Sequence, residues 1–341
     1  MLCLKNGAPA PAIRNDKTGI SAFLQMDLAP ETATTDPATE GPDTTEAALF
    51  ARPVIVESPP RQRTPFVFSS PHSGRHYPAS FVAASNLDAL TLRRSEDSFV
   101  EKLFAGAVGL GAPLLQARFP RAYLDANREP YELDPSMFAE PLPPHVNTRS
   151  LRVAGGLGTI ARVVSDTTEI YREPLSYAEA EERIRRLYMP FHDTLKELLE
   201  GTLKSFGCAI LIDCHSMPSV GGPTDNDSGA DRPDIVLGDR YGTSCAGAIT
   251  AEAERILRRL GYSVVRNNPY AGGFNTEHYG RPRRGLHALQ IEVNRALYMD
   301  EACLEPTAGL AAMQKDMTAF IDELAAWDWS ALTLGTRGAA F

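Results

Sequence analysis

Six short apolar runs, rich in residues that favour extended backbone, recur along the chain: PFVFSS (65–70), APLLQAR (112–118), CAILIDC (208–214), DIVLGD (234–239), YSVVRN (262–267) and HALQIEV (287–293). Between them, at 93–110, 177–205, 241–260 and 306–326, apolar residues fall three and four apart, as in Phe99, Leu103 and Phe104. A short continuous apolar run fits a strand buried on both faces, whereas the three-and-four spacing fits a helix with one buried stripe. Strands alternating with helices pack as a sheet covered on both sides, because each crossover helix must lie against one face of the sheet it spans. The expected fold is therefore α/β: a three-layer sandwich with a mainly parallel or mixed central sheet and helices on both faces.

With 341 residues and 43% hydrophobic content the chain can bury the core of one large domain, expected over 49–330. Residues 27–48 (DLAPETATTDPATEGPDTTEAA) offer almost nothing to bury, so 1–48 reads as a disordered extension and 331–341 as a C-terminal tail. The Gly- and Asp-rich segment 221–233 (GGPTDNDSGADRP) reads as an exposed loop, close enough to a candidate site residue to act as a lid. Basic residues number 34 and acidic ones 43, a formal charge of -9 spread along the chain, which argues against a nucleic-acid partner. The five cysteines (Cys3, Cys208, Cys214, Cys245, Cys303) form no CxxC pair and suggest neither a disulfide framework nor a zinc ribbon. No run approaches the ~18 apolar residues of a membrane span, and residues 1–20 lack the apolar stretch of a signal peptide. A soluble protein of the reducing cytoplasm, with no membrane partner, is expected; its oligomeric state is not encoded legibly.

Three polar residues stand at the carboxyl ends of expected strands: His72 after FVFSS, His215 after AILIDC, and Glu292 within LQIEV. In open α/β sheets ligands bind at those ends, so three groups able to hold a metal or move a proton converge on one edge. Hydrolytic zinc sites use about three protein ligands, an open position for water and a carboxylate that is not a ligand. Two imidazoles, one acid from the region after His72, and Glu292 as general base would fill those roles. Pro71 and Gly74 bend the chain around His72, and Asp213, two residues before His215 on the same strand face, is placed to orient an imidazole. The acidic ligand is open between Glu96 and Asp97, which could equally be ordinary cap chemistry at the start of the helix SEDSFVEKLF. No HExxH or HxxE pair is present.

A second constellation is RFPRAYLDANREP (118–130), where Arg118, Arg121, Asp125, Asn127 and Arg128 crowd a short extended segment. Guanidinium groups bind carboxylates through paired hydrogen bonds, which points to a small anionic substrate, although salt bridges to Glu129 and Glu132 would explain the same residues. Downstream, AGGFNTEHYG (271–280) opens on a glycine pair that permits close backbone approach to a ligand and places His278 and Tyr279 near its expected path, with Gln290 on the strand beyond.

SPHSG (70–74), EDSFVEKLF (96–104), DANR (125–128), DCHS (213–216) and GGFNTEHYG…GLHALQIEVNRALY (272–298), in that order, resemble the N-formylglutamate amidohydrolase family, across about residues 53–300. Its wider relatives include zinc carboxypeptidases and the aspartoacylase and succinylglutamate desuccinylase group. The resemblance implies a zinc carboxypeptidase-like fold and hydrolysis of N-formyl-L-glutamate to formate and L-glutamate in histidine degradation; a deacylase or peptidase acting on another N-acyl amino acid, and a non-catalytic binder of anionic metabolites, are the alternatives. It implies Zn²⁺, or another divalent ion, on His72, His215 and Asp97, with Glu96 as runner-up for the acid. It also implies that Asn127 and Arg128 hold the substrate carboxylate, with Arg121 or Arg118 at the scissile carbonyl. Glu292 is then expected to take the proton of an attacking water and return it to the leaving amine.

Overall fold

All six apolar runs form strands, joined by a seventh, and a computed structural model describes residues 45–164, 168–223, 225 and 227–332. The strands of the main sheet are β1 (Val54–Glu57), β2 (Phe66–Ser70), β3 (Leu114–Ala117), β4 (Ala209–Met217), β5 (Ile235–Gly238), β6 (Val264–Arg266) and β7 (Leu286–Asn294). They make one sheet in the order β1-β3-β2-β4-β7-β5-β6. From β3 through β2 and β4 to β7 the pairing is parallel. Reversals occur at β1 against β3 and at β5 against β7, so the sheet is mixed, with its parallel block in the middle. β1 escapes sequence reading because it is a four-residue edge strand, half exposed, that lacks the long apolar run of a central strand.

Helices cover both faces. On one, Phe68, Ile210, Ile212, Leu289 and Ile291 pack against Val100–Leu103, Gly247–Arg259 and Gly309–Ala326. On the other, Val67, Leu115, Leu211 and Ala288 meet Phe191, Leu195 and Leu199 of the helix Met189–Phe206. This is the expected three-layer α/β sandwich.

Helix boundaries differ where single residues interrupt the pattern. The expected helix 93–110 is split into Ala89–Arg93, Val100–Leu103 and Gly106–Leu110. The first piece ends at Arg93, and Phe99, with a left-handed φ of 68°, stands at the start of the second. The stretch 177–205 is helical as expected, entering through a capping box of Ser176 and Glu179 and passing through a π turn at Ile184–Tyr188. At the amino end a helix begins at Glu46, inside the segment expected to be disordered. Thr45 caps it by accepting from Ala48 N (3.1 Å), Leu49 is fully buried, and Tyr123 donates to the Glu46 carboxylate. The rest of that extension, and the expected tail beyond Leu332, lie outside the described residues. Among the described residues no helix is long and apolar enough to cross a membrane.

Candidate active site

Strand alternation decides which side of the sheet carries the site. Along β4, Ala209 and Leu211 share a face with Val67 and Ala288. Continuing by twos, the same face next presents Asp213 and His215. On β7 the sequence Ala288, Gln290, Glu292, Asn294 does likewise, and the parallel register sets Asp213 beside Gln290 and His215 beside Glu292. One face thus changes from apolar to ionisable toward the carboxyl end. His72 arrives from the neighbouring strand β2 through a turn that requires Gly74, because a Cβ there would collide with the Phe119 carbonyl.

There, three buried side chains converge. Asp97 Oδ2 lies 3.2 Å from His72 Nδ1 and 3.0 Å from His215 Nδ1, and one donor atom from each residue lies within 4.8 Å of the others. The far nitrogen of each ring is held by a separate carboxylate: His72 Nε2 by Asp125 Oδ1 at 2.7 Å, and His215 Nε2 by Asp213 Oδ2 at 2.9 Å. A carboxylate behind each imidazole fixes its orientation and raises its basicity, which is how metal-ligating histidines are usually supported. Two imidazole nitrogens and one carboxylate oxygen turned toward a common point suit a divalent cation of the zinc type.

The charge of each group is set by its neighbours. Burial opposes the charge on Asp97, but hydrogen bonds from His215 and His72 hold its carboxyl well below the usual range. Burial also opposes charge on Asp125, which Arg128, His72 and Arg121 overcome, keeping it well below. His215 is desolvated too, yet Asp213 and then Asp97 hold it well above the ordinary imidazole value. Glu292 goes the other way. Burial lifts it, His215 and Arg121 oppose the rise, Asp97 adds to it, and the carboxyl stands at about 7.

Glu96 is turned away from the imidazoles. Its carboxylate accepts from Tyr77 Oη (2.7 Å), Arg93 Nε (3.2 Å) and Ser98 Oγ (2.8 Å), so of the two adjacent acids Asp97 alone faces the cluster. Asp97 is aimed by a turn in which its own N–H donates to His72 O at 3.0 Å.

The cluster opens into a cavity of about 760 Å³ whose walls include Arg121, Arg128, Arg152, Tyr270, Gly273 and Glu292. Arg121 donates Nε to Asp125 Oδ2 (3.0 Å). Arg128 is fastened by Nη1 to Asn127 O and by Nε to Leu157 O, both 2.8 Å. Asn127 lines the cavity, but its amide is engaged by His215 Nε2 (3.3 Å) and by Asn275 N–H (2.8 Å). Gly273 makes room for that amide, which a Cβ would strike, so the glycine pair admits a side chain of this chain. The loop after β4 borders the cavity through Gly222 and Asp225 and is pinned by Arg232, which donates to Asp225 (2.6 Å) and Asp227 (2.9 Å); residues 224 and 226 lie outside the described ones.

Three residues expected at the substrate do not line this cavity. Arg118 reaches back to Arg52 O (2.9 Å), because it follows β3 on the side of the edge strand β1. His278 is exposed and stacks on Phe274, and Tyr279 shares a hydrogen bond with His192 Nδ1 at 2.9 Å. The short helix Phe274–Tyr279 turns both away. Sequence reading of the ligand set missed Arg295, which donates Nη2 to Asp97 Oδ1 at 3.1 Å. Its only sequence signal is its place at the end of β7, three residues after Glu292.

A mixed α/β sheet with a buried acid–imidazole cluster and a raised carboxyl at its carboxyl edge defines the layout of a hydrolytic enzyme. The chain belongs to the N-formylglutamate amidohydrolase family, whose sequence profile matches residues 64–299. It is 33% identical over 269 residues to an N-formylglutamate deformylase of Pseudomonas aeruginosa, covering 77% of this chain and 92% of that protein. An N-formylglutamate deformylase of Pseudomonas putida is 26% identical over 242 residues, covering 70% of this chain and 83% of that one. The crystal structure of an N-formylglutamate amidohydrolase from Ralstonia eutropha JMP134 superposes with a TM-score of 0.74 at 36% identity, over 80% of this chain and 97% of the other.

Proposed function

We propose that this chain hydrolyses the amide bond of N-formyl-L-glutamate to formate and L-glutamate, using a divalent metal ion, Zn²⁺ by its ligand types, held by His72, Asp97 and His215. The observation that carries the reading is the convergence of those three donors beside Glu292, a buried carboxyl at about 7 that is not among them. The names of the Pseudomonas and Ralstonia relatives supply the substrate. Bound there, the ion would serve as a Lewis acid toward the acyl carbonyl and as an acidifier of water.

The chain's own residues do the rest. Glu292 accepts a proton from the water that attacks the formyl carbon, then returns it to the amine nitrogen as the C–N bond breaks. A pKa near 7 suits both halves of that exchange. Gln290 Nε2 donates to Glu292 Oε1 (2.9 Å), which orients the carboxyl on the cavity wall. Arg121 stands beside Asp125 and supplies positive charge to the oxyanion of the tetrahedral adduct. Arg128, with Arg152 near it, offers the substrate's carboxylates their guanidinium partners. Asn127, on the cavity wall and 3.3 Å from His215 Nε2, stands with Arg128 where the substrate carboxylate would lie, the role that the family resemblance implies for it.

Release of the free acyl acid (formate, acetate or succinate) from N-formyl-, N-acetyl- and N-succinyl-glutamate and the matching aspartates tests the assignment. Turnover is expected to be fastest with N-formyl-L-glutamate and to be lost with Glu292→Gln. A Glu292→Gln enzyme with full turnover would remove the general base, and preference for another acyl group would replace the substrate.

A further inference from the structure

Asp97 has two carboxylate oxygens and only one faces the imidazoles. The other, Oδ1, accepts from Arg295 Nη2 at 3.1 Å and from Ser216 Oγ at 3.2 Å. Arg295 is itself buried, 6% exposed, and all three of its guanidinium nitrogens are used. Nη2 also donates to Glu96 O (2.7 Å), Nη1 to Arg94 O (3.2 Å) and Nε to Ser216 Oγ (3.1 Å). One planar group thus ties together the turn that carries Asp97, the end of β4 and the residue that follows β7.

Rotation about the last bond of an aspartate is broad and nearly two-fold, so the two oxygens have no intrinsic preference for either place. What separates them is their partners. With Oδ1 held by Arg295 Nη2 and Ser216 Oγ, Oδ2 is left at 3.2 and 3.0 Å from the two Nδ1 atoms. We infer that Arg295 is a positioning residue for the metal centre: it aims Asp97 by fixing Oδ1 and so sets how tightly His72, Asp97 and His215 hold a divalent cation. The inference rests on the metal reading above. Three features support a positional role. The guanidinium is planar with donors in fixed directions, it contacts both the Asp97 carboxylate and the backbone of the preceding residue, and its Nε partner, Ser216, is itself a donor to the same carboxylate oxygen. A lysine at this position would keep the charge but could not reach Asp97, the Glu96 and Arg94 carbonyls and Ser216 from one rigid plane.

The test is cobalt and zinc binding by the full chain stripped of metal, for wild type, Arg295→Lys and Ser216→Ala. Cobalt binding is read from its visible absorption band, and the thermal unfolding of each metal-free form is measured alongside. Arg295→Lys is expected to weaken cobalt and zinc binding about 10- to 100-fold and to shift the cobalt band, since loss of the group behind a ligand typically costs that much affinity. Ser216→Ala, which removes one donor to Oδ1 and the acceptor of Arg295 Nε, is expected to weaken binding less and shift the band in the same sense. Wild-type affinity and an unshifted band in Arg295→Lys would overturn the positioning role, because charge alone would then suffice. If Arg295→Lys does not fold, unchanged affinity and band in Ser216→Ala overturn it instead. Failure of the wild type to bind either metal is a different result and removes the metal reading itself.

Discussion

The two faces of the β4–β7 pair are built from alternate residues of the same two strands, and they carry opposite chemistry. One face, with Ile210, Ile212, Leu289 and Ile291, is apolar through its middle, with polar residues only at its ends (His287 and Ser216), and is sealed by the helices Gly247–Arg259 and Gly309–Ala326. The other starts equally apolar at Leu211 and Ala288, then turns to Asp213, His215, Gln290 and Glu292 at the carboxyl end. Burying so many ionisable groups is costly unless each is paired, and here the imidazoles and carboxylates pair with one another and with Arg121, Arg128 and Arg295. The apolar face supplies stability to a rigid strand pair, and the polar face uses that rigidity to hold reactive groups.

If that division is right, substitutions on the two faces should separate activity from stability. The largest effect is expected from Glu292→Gln, a fall in kcat of roughly 10²- to 10⁴-fold with metal content retained, since a general base contributes about that much. In the wild type, kcat/KM should rise with pH through about 7, because Glu292 must be ionised to accept a proton and is protonated below that value. On the opposite face, Ile210→Ala should cost about 2–5 kcal/mol of stability in denaturant unfolding while the folded fraction keeps wild-type kcat. Asp125→Asn, behind His72 Nε2, should weaken metal binding about 10- to 100-fold, measured by chelator competition. Smallest of all, His278→Ala should change stability by no more than about 0.5 kcal/mol and leave KM unchanged, since the ring is exposed and outside the cavity wall.

The residues that could be read from the sequence are those whose position follows from strand periodicity. His215 and Glu292 sit in long buried runs, so their place at the carboxyl edge follows from alternation, and His72 follows a run of the same kind. Glu96 and Asp97 could not be separated that way. They are adjacent on a turn whose direction depends on the Asp97 N–H to His72 O hydrogen bond and on Arg295, a contact between residues nearly two hundred positions apart. His278 and Tyr279 were expected at the substrate because their segment leads into β7; a single helical turn, invisible to a two-residue repeat, sends them elsewhere. Arg118 shared a cluster with Arg121 and Arg128 in the chain, but its place beside the edge strand β1, itself too short and exposed to read as a strand, draws it off. Asp125 was visible as part of the arginine cluster, whereas its role behind His72 required the fold.

The most direct measurement is the metal content of purified wild-type chain and of His215→Ala, paired with formate release from N-formyl-L-glutamate before and after chelation. Near-stoichiometric zinc or a related divalent ion in the wild type is expected, with its loss in His215→Ala, and with activity abolished by chelation and restored by metal. A metal-free wild type that releases formate at full rate in the presence of chelator would contradict it.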